Sequence, residues 1–597
     1  MSARTDDLVT TATWPSRVRW LLVAMSVVAP FLVALVVVWS KGRWYPAGDM
    51  AQAELHMRGF FGNPPLVGAA GRIIDDTGFQ GSHPGPSLWF AMLPVYLIGG
   101  RTSAGLMAAV VSVHLVSAAA AVWLARRRFG WSGVTVVALV VLFFVRSSGP
   151  DLIVEPWNPW LALLPFLVFV LVVNEVIHHQ GSWRWVVAAV VVGSHCVQCH
   201  AGYALVVGLA FVAVLVALIR RRDPAGVGAG FAGLGVMWLL PLVDQIRREP
   251  GNIEILLQHF GSPDEPTIAL GDAIRIVATQ FNVIGPWLTG SGVSVPAETW
   301  ARWPGFVVFV TLVGMARRRA VKTGDRDVGA LLVTLIGASV VAALSILRIF
   351  GSYLDYTIRW VWILSGLMVI VSILGLVRSS RVRTSRRLSN GIVWTGLVTA
   401  VAIFASVSVG LDARMPGAVD SRVVEAVVPQ VEPFIGDDTV LVHLWDPYTL
   451  DATGFGTVLE LERRGHSLRV DPSYAAAALP HRTATPGEVD QVWWFVVGPI
   501  DDSALDRPGV ERIAHVDPRS SADEEEAERL LAEIERRLVE SGREELAEQK
   551  NPAGAAVLFA FPPIEPDIVD LLTEYYRLGQ PVSVLILPEG LDPDSLR

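Results

Sequence analysis

Gly48-Asp49-Met50-Ala51-Gln52-Ala53-Glu54-Leu55-His56-Met57-Arg58-Gly59 follows closely on the first long apolar run of the chain, and Gly81-Ser82-His83-Pro84-Gly85-Pro86-Ser87-Leu88-Trp89-Phe90 ends the polar bridge beyond it. The apolar run 20–40 is long enough to cross a bilayer, which takes about 20 residues. Asp49 therefore stands a few residues outside a membrane boundary, and the His-Pro turn at His83 aims an imidazole back toward that boundary. The loop 41–102 that carries both is the feature around which the other spans are arranged.

Outward from this loop the composition is that of an integral membrane protein. Of 597 residues, 52% are hydrophobic and only 17% charged, and the mean hydropathy is +0.47, which a soluble domain does not need. Arg17 and Arg19 precede the first run, which lacks a small-x-small cleavage site and reads as a retained signal anchor. The net charge of −8 is segregated, with arginine triplets between apolar runs and acids gathered after residue 410. No basic surface for nucleic acid is visible.

Placing the arginine clusters in the cytoplasm predicts about eleven spans. They centre on 20–40, 103–125, 131–145, 158–176, 184–196, 201–219, 228–243, 304–316, 328–347, 357–377 and 391–409. The N-terminus is then inside, and 41–102, 146–157, 244–303 and 348–356 share the outer face. The segment 86–98 is too short to span and is expected on the outer surface, with Trp89, Phe90 and Tyr96 at headgroup level. The fold class is thus a polytopic α-helical membrane protein over 1–410, followed by a soluble extracytoplasmic α/β domain over 411–597. In that domain 439–444, 467–470, 491–497, 555–561 and 582–587 read as strands and 452–464 as a helix ending at Gly465. Ser521-Ala522-Asp523-Glu524 reads as a capping box. No phosphate-cradling glycine motif is present.

Several polar residues collect on the outer face, and each has a plain structural role as well as a chemical one. Asp49 reads as a helix cap or as a general base, and Glu54 stands at i,i+4 from Arg58. Asp151 and Glu155 lie in Ser148-Gly149-Pro150-Asp151-Leu152-Ile153-Val154-Glu155-Pro156-Trp157-Asn158, where either could cap a helix. His195-Cys196-Val197-Gln198-Cys199-His200 matches the c-type haem attachment pattern. It joins two membrane helices, however, so Gln198, His200 and Tyr203 read more simply as cavity-lining, and Cys196 and Cys199 receive no role. Arg348 and Arg359, with Tyr356 between them, break the positive-inside pattern. Such arginines need a partner, either Asp355 or a lipid phosphate.

An acid directly after a first span, a His-Pro turn opening a short apolar segment, and the order of spans resemble the polytopic GT-C glycosyltransferases. The likeness is to the dolichyl- or polyprenyl-phosphate-mannose transferase group and its aminoarabinose-transferase relatives. The resemblance implies that Asp49 is the catalytic base and that Glu54, His83, Asp151, Glu155, Gln198, His200, Arg348, Tyr356 and Arg359 contact substrate. It implies a polyprenyl-phosphate sugar donor, a glycan, lipid or protein acceptor of the cell envelope, no organic cofactor, and in some branches a divalent cation held by the second-loop acids. That group often carries Asp-Glu where this chain has Asp49-Met50, and a proline where it has Gly85. The competing classes are a transporter or flippase, which would show midplane polar residues and related halves, and a thiol or haem redox protein.

Overall fold

The computed structural model describes residues 16–74, 80–179, 182–261, 263, 266–290, 302–351, 354–378, 403–405, 407–448, 452–500, 502–548, 553–554, 557, 560 and 564–596. Most of the expected span 391–409 and strand 555–561, and the basic residues Arg381, Arg383, Arg386 and Arg387, lie outside them. The first part of the chain is a helical bundle. It begins with α1 (Ser16–Val27) and α2 (Ala29–Ser40), a pair bent by 46° where Pro30 supplies no amide hydrogen to continue the first helix. The loop 41–102 follows, with α3 (Gly48–Gly59), the short hairpin β1 (Ala70–Ile74) and β2 (Gln80–Ser82), and α4 (Ser87–Ile98). At 12 residues α4 is about 18 Å long, short of the ~30 Å of a hydrocarbon core.

The bundle continues with α5 (Ser103–Ser148), α6 (Asp151–Val154), α7 (Asn158–Leu161), α8 (Leu163–His179), α9 (Trp183–Cys199), α10 (Ala204–Arg221) and α11 (Pro224–Arg247). Then come α12 (Asn252–Gly261), α13 (Leu270–Gln280), α14 (Pro286–Thr289), α15 (Arg302–Thr323), α16 (Arg326–Ile346) and α17 (Trp360–Arg378). Among the described residues, six helices are long and apolar enough to cross a membrane, or seven if α1 and α2 form one span. The difference from the expected number has local causes. α5 merges two expected spans across a break at Gly130 (φ 65°, ψ −148°), α9 has 17 residues, and α15 contains the Arg317-Arg318-Arg319 triplet.

Burial ranks these helices. The Asn158–His179 span is 94% buried and forms the centre of the bundle, whereas Pro224–Arg247 is 17% buried and lies at its edge. The polar side chains in the centre are held by neighbours. Glu175 accepts from Arg128 at 3.0 Å, Asn174 from Thr334 at 3.2 Å, and His114 Nε2 lies 3.0 Å from the Leu152 carbonyl.

The rest of the chain builds a five-stranded sheet in the order β4-β3-β5-β7-β6. Its strands are β3 (Thr439–Trp445), β4 (Ser467–Val470), β5 (Gln491–Val497), β6 (Glu511–Val516) and β7 (Val582–Leu587). β3, β4 and β5 are parallel, and β7 is antiparallel to both β5 and β6. Helices α18 (Ala418–Val431), α19 (Ala452–Arg463), α20 (Ser521–Glu540) and α21 (Pro566–Leu578) accompany it. β6 is the strand that the sequence pattern conceals, because Glu511 and Arg512 occupy an exposed edge and only Ile513 and Ala514 are buried. The N-cap of α20 is Ser520 with Asp523 as its partner, one residue earlier than the pattern suggests.

The apolar core of the sheet takes in Tyr45, Ala51 and Leu55 from the loop 41–102. α19 packs closely on α18 and on the segment that enters α3, and glycine makes the approach possible. A Cβ on Gly456 would stand 2.6 Å from Val424 Cγ2 and 2.7 Å from the Pro46 carbonyl oxygen. Gly456→Val is therefore expected to destabilise the full-length protein by about 1–3 kcal/mol. Thermal denaturation in detergent checks this, and an unchanged midpoint would contradict the close packing.

Candidate active site

Asp49 sits in the first turn of α3, whose N-cap is Ala47. Its carboxylate does not cap the helix. Instead Oδ2 accepts a hydrogen bond from the Trp157 indole N–H at 2.6 Å, so the segment after α6 reaches across to hold it. The two side chains line a small cavity with Gln52, His56, Trp89 and Asn158, with room for about one water molecule. Solvent reaches the carboxylate, but protein surrounds it on most sides. That enclosure raises its pKa, and the Trp157 N–H opposes the rise.

Rings extend the site from Trp157. Its indole packs at 4.7 Å on Tyr356 and at 4.9 Å on Trp160. Tyr356 meets His200 at 6.1 Å, and His200 meets His83 at 5.0 Å. His83 Nδ1 accepts from the Ala201 amide at 3.4 Å, and His200 Nδ1 accepts from the Gly202 amide at 3.1 Å. These bonds leave the protonated Nε2 of each ring as a donor. Burial, followed by the neighbouring His200, holds His83 well below the ordinary imidazole range. Burial brings His200 down to about 4, so both rings are neutral at physiological pH.

The second-loop acids stand on the other side of Trp157. Glu155 accepts from the Trp160 indole at 3.0 Å. The Arg359 guanidinium lies 4.7 Å over Trp160 and 5.3 Å over Trp362. Burial, then the neighbouring Asp151, pushes Glu155 up to about 7, while Arg359 pulls it down. Asp151, at the start of α6, is also within electrostatic reach of Arg359 and of Arg414.

The structure thus brings Asp49, His83, Asp151, Glu155, His200, Tyr356 and Arg359 into one connected region. Gln198 stands beside His83 but spends its side chain on the turn, and Glu54 and Arg348 are placed elsewhere. Gln198 is 1% exposed, accepts from the Ser87 amide at 3.2 Å and donates to the Met237 carbonyl at 2.6 Å. It pins the turn, and a Cβ at position 85 would collide with it at 2.5 Å, which is why glycine follows Pro84. Arg348 is exposed at the end of α16.

Glu54 is fully buried and pairs with Arg463 of α19, while Tyr96 donates to it at 3.3 Å. Its expected partner Arg58 turns instead to Glu462 at 3.2 Å. Trp89 and Tyr96, expected at headgroup level, are buried as well. Trp89 stacks on His56 at 4.7 Å and donates to the Val67 carbonyl at 3.1 Å, and only Phe90 is exposed.

Trp157, Gln52, His56 and Arg414 are the contributors that sequence reasoning missed. Gln52 and His56 were detectable in principle, since they stand three and seven residues after Asp49 on the same helical face. Cys196 and Cys199 are buried free thiols. Among the described residues, no group of three or more His, Cys, Asp or Glu side chains could hold a metal ion.

No family model matches the sequence, and no curated protein matches it in sequence. Solved structures do match the fold. The crystal structure of ArnT from Cupriavidus metallidurans bound to undecaprenyl phosphate aligns with a TM-score of 0.55 at 14% identity, over 84% of this chain and 97% of that one. The same protein in its apo state aligns with a TM-score of 0.51 at 14% identity over the same shares.

Two measurements test the site's electrostatics. Removing one member of a buried ion pair costs about 3–5 kcal/mol, so Glu54→Gln is expected to lower stability by about that much, and Glu54→Leu combined with Arg463→Met to recover most of it. Thermal melts of the three proteins decide this. For Glu155, the folded pKa of about 7 lies above the ordinary 4.5. The unfolded chain therefore ionises first, and stability is lost as pH rises from 4.5 to 7. Glu155→Gln removes that part of the pH dependence, and a melting profile as steep as that of the wild type would rule it out. The arrangement of spans, first loop and sheet is a GT-C-type fold, as in the two ArnT structures.

Proposed function

We propose that the chain is a glycosyltransferase of the plasma membrane, moving a sugar from a polyprenyl-phosphate donor to a glycan, lipid or protein acceptor of the cell envelope on the outer face. The observation that carries this reading is the solvent-accessible Asp49 carboxylate, held by Trp157 at the head of a helix next to the first span. The ArnT structure bound to undecaprenyl phosphate supports the donor class. In this reading about eleven spans cross the membrane, the N-terminus is cytoplasmic, and residues 411–597 form an extracytoplasmic unit.

The reaction is a displacement at the anomeric carbon. Asp49 takes the proton of an acceptor hydroxyl as its oxygen bonds to that carbon, and the bond to the phosphate oxygen breaks with its electron pair, releasing polyprenyl phosphate. A base whose pKa is lifted by its enclosure is better matched to a hydroxyl proton than an ordinary carboxylate. Arg359, fixed flat over Trp160, and the Nε2–H groups of His83 and His200 are positioned to accept the charge that develops on the phosphate. Asp151 and Glu155 are assigned to sugar hydroxyls, with a divalent cation as their other use. The cavity at Asp49 holds about one water molecule, so entry of a sugar requires its walls to part.

Asp49→Asn keeps size and hydrogen bonding while removing the base, and should lower transfer by ~10²–10⁴-fold without loss of folded protein. The assay is transfer of labelled sugar from polyprenyl-phosphate donors in membranes, and near-normal turnover would overturn the assignment. Cysteine labelling after residue 420 should succeed in intact cells. Labelling only after permeabilisation would refute the outer placement.

A further inference from the structure

The edge of the sheet formed by the carboxyl ends of its parallel strands collects polar and aromatic groups that the transfer site does not use. Asp446 and Tyr448 follow β3, Gly498 follows β5, and Gln580 precedes the antiparallel β7, so all of them stand at one edge. β4 and β5 flank β3 on opposite sides, which makes the gap between β3 and β5 a topological switch point, the usual place for a ligand in an open α/β sheet.

Tyr448 packs on Tyr575 at 6.3 Å, and Tyr575 on Tyr576 at 6.2 Å. Gly498 (φ 106°) gives the Tyr448 ring its place, since a Cβ there would meet Cε2 at 2.5 Å. Asp420, at the start of α18, faces Asp446 closely enough to feel its charge. Asp446 and Tyr576 are half-buried, so solvent reaches the cluster.

Two orphaned polar atoms mark the same edge. Gln580 is 5% exposed, and its Oε1 accepts from Tyr575 at 3.4 Å. Its Nε2 has no hydrogen-bond partner among the described residues. Thr453, in the first turn of α19, is 3% exposed, and its hydroxyl likewise has none. Buried polar groups are ordinarily satisfied, and such exceptions point to an absent partner.

We propose that this edge binds a neutral saccharide, with Tyr576 supplying a ring face, backed by the buried Tyr575 and Tyr448, and Asp420, Asp446 and Gln580 supplying hydrogen bonds to hydroxyls. The carboxylates disfavour a phosphate or another anion, and the nearby Arg519 is already paired with Asp517 at 2.9 and 2.6 Å. A polyhydroxylated ligand uses both the acceptor oxygens and the apolar ring faces.

The edge also adjoins the transfer site. The Ala452 Cβ stands 3.4 Å from where a Cβ on Gly48 would lie, and Met50 Cε and Asp420 Oδ2 are 4.0 and 3.6 Å from the same point on Gly417. A glycan held here is presented toward Asp49, so the edge is the acceptor subsite, a role that rests on the transfer reading above.

The test uses the labelled full-length protein in detergent, without donor, on immobilised neutral gluco-, galacto-, manno- and arabino-oligosaccharides. At least one class should be retained. Asp446→Asn, Asp420→Asn and Tyr576→Leu should each weaken retention by about tenfold or more, whereas Arg529→Ala on the exposed face of α20 should not. Thermal melts identify any variant that fails to fold, and the remaining variants decide. Absence of saccharide binding by the wild type, or equal binding by all folded variants, overturns the proposal. Because donor is omitted, failure of the transfer reading shows separately, as wild-type protein that binds saccharide but consumes no polyprenyl-phosphate sugar.

Discussion

Arg463 ties together the helix that carries Asp49, the membrane bundle and the C-terminal sheet. From α19 it pairs with Glu54 of α3, contacts Ser103 at the start of α5, and reaches Glu460 at 3.2 Å. Glu54 and Glu460 are essentially inaccessible to solvent, so the attraction acts where water does not screen it; losing Arg463 strands Glu54, while Glu460 keeps Arg43 at 2.6 Å and Arg464 at 3.3 Å. Arg58, Glu462 and Arg482 repeat the arrangement further along α3, with Arg482 donating to Glu462 at 3.0 Å. Trp44 and Tyr45 complete the attachment through bonds to the Pro416 carbonyl and the Ser421 hydroxyl. The loop that carries Asp49 is in this way fixed from both sides.

The chemistry of the site follows from that enclosure. Burial lowers His83 and His200 and raises Asp49 and Glu155, so the imidazoles stay neutral donors and the carboxylates hold protons more readily than in water. The Arg359 guanidinium is held over the Trp160 and Trp362 rings. Carboxylates, neutral donors and a guanidinium are thus gathered in one aromatic-walled region, and the sheet edge adjoins it.

The sequence by itself determined the elements. Apolar runs and arginine clusters marked the helices, because crossing a membrane demands about 20 apolar residues whatever their neighbours. Alternating apolar patterns gave β3, β4, β5 and β7 nearly to the residue, and the position of Asp49 after the first run singled it out. The Gly130 break was invisible as such, since two adjacent spans and one interrupted helix share a composition, and β6 was hidden because half of an edge strand faces water.

Pairing was decided only in three dimensions. Arg58 stands four residues from Glu54, and sequence spacing joins them, yet Glu54 belongs to Arg463 and Arg58 to Glu462. Gln198 lies in the stretch that resembles a cavity wall but spends its amide on the turn at Gly85. Trp157, which holds Asp49, carried no motif at all. Local patterns register what a residue needs from its solvent and its own helix or strand. The partner of a buried charge or an indole N–H is fixed by which distant elements pack together, and no short window of sequence contains that information.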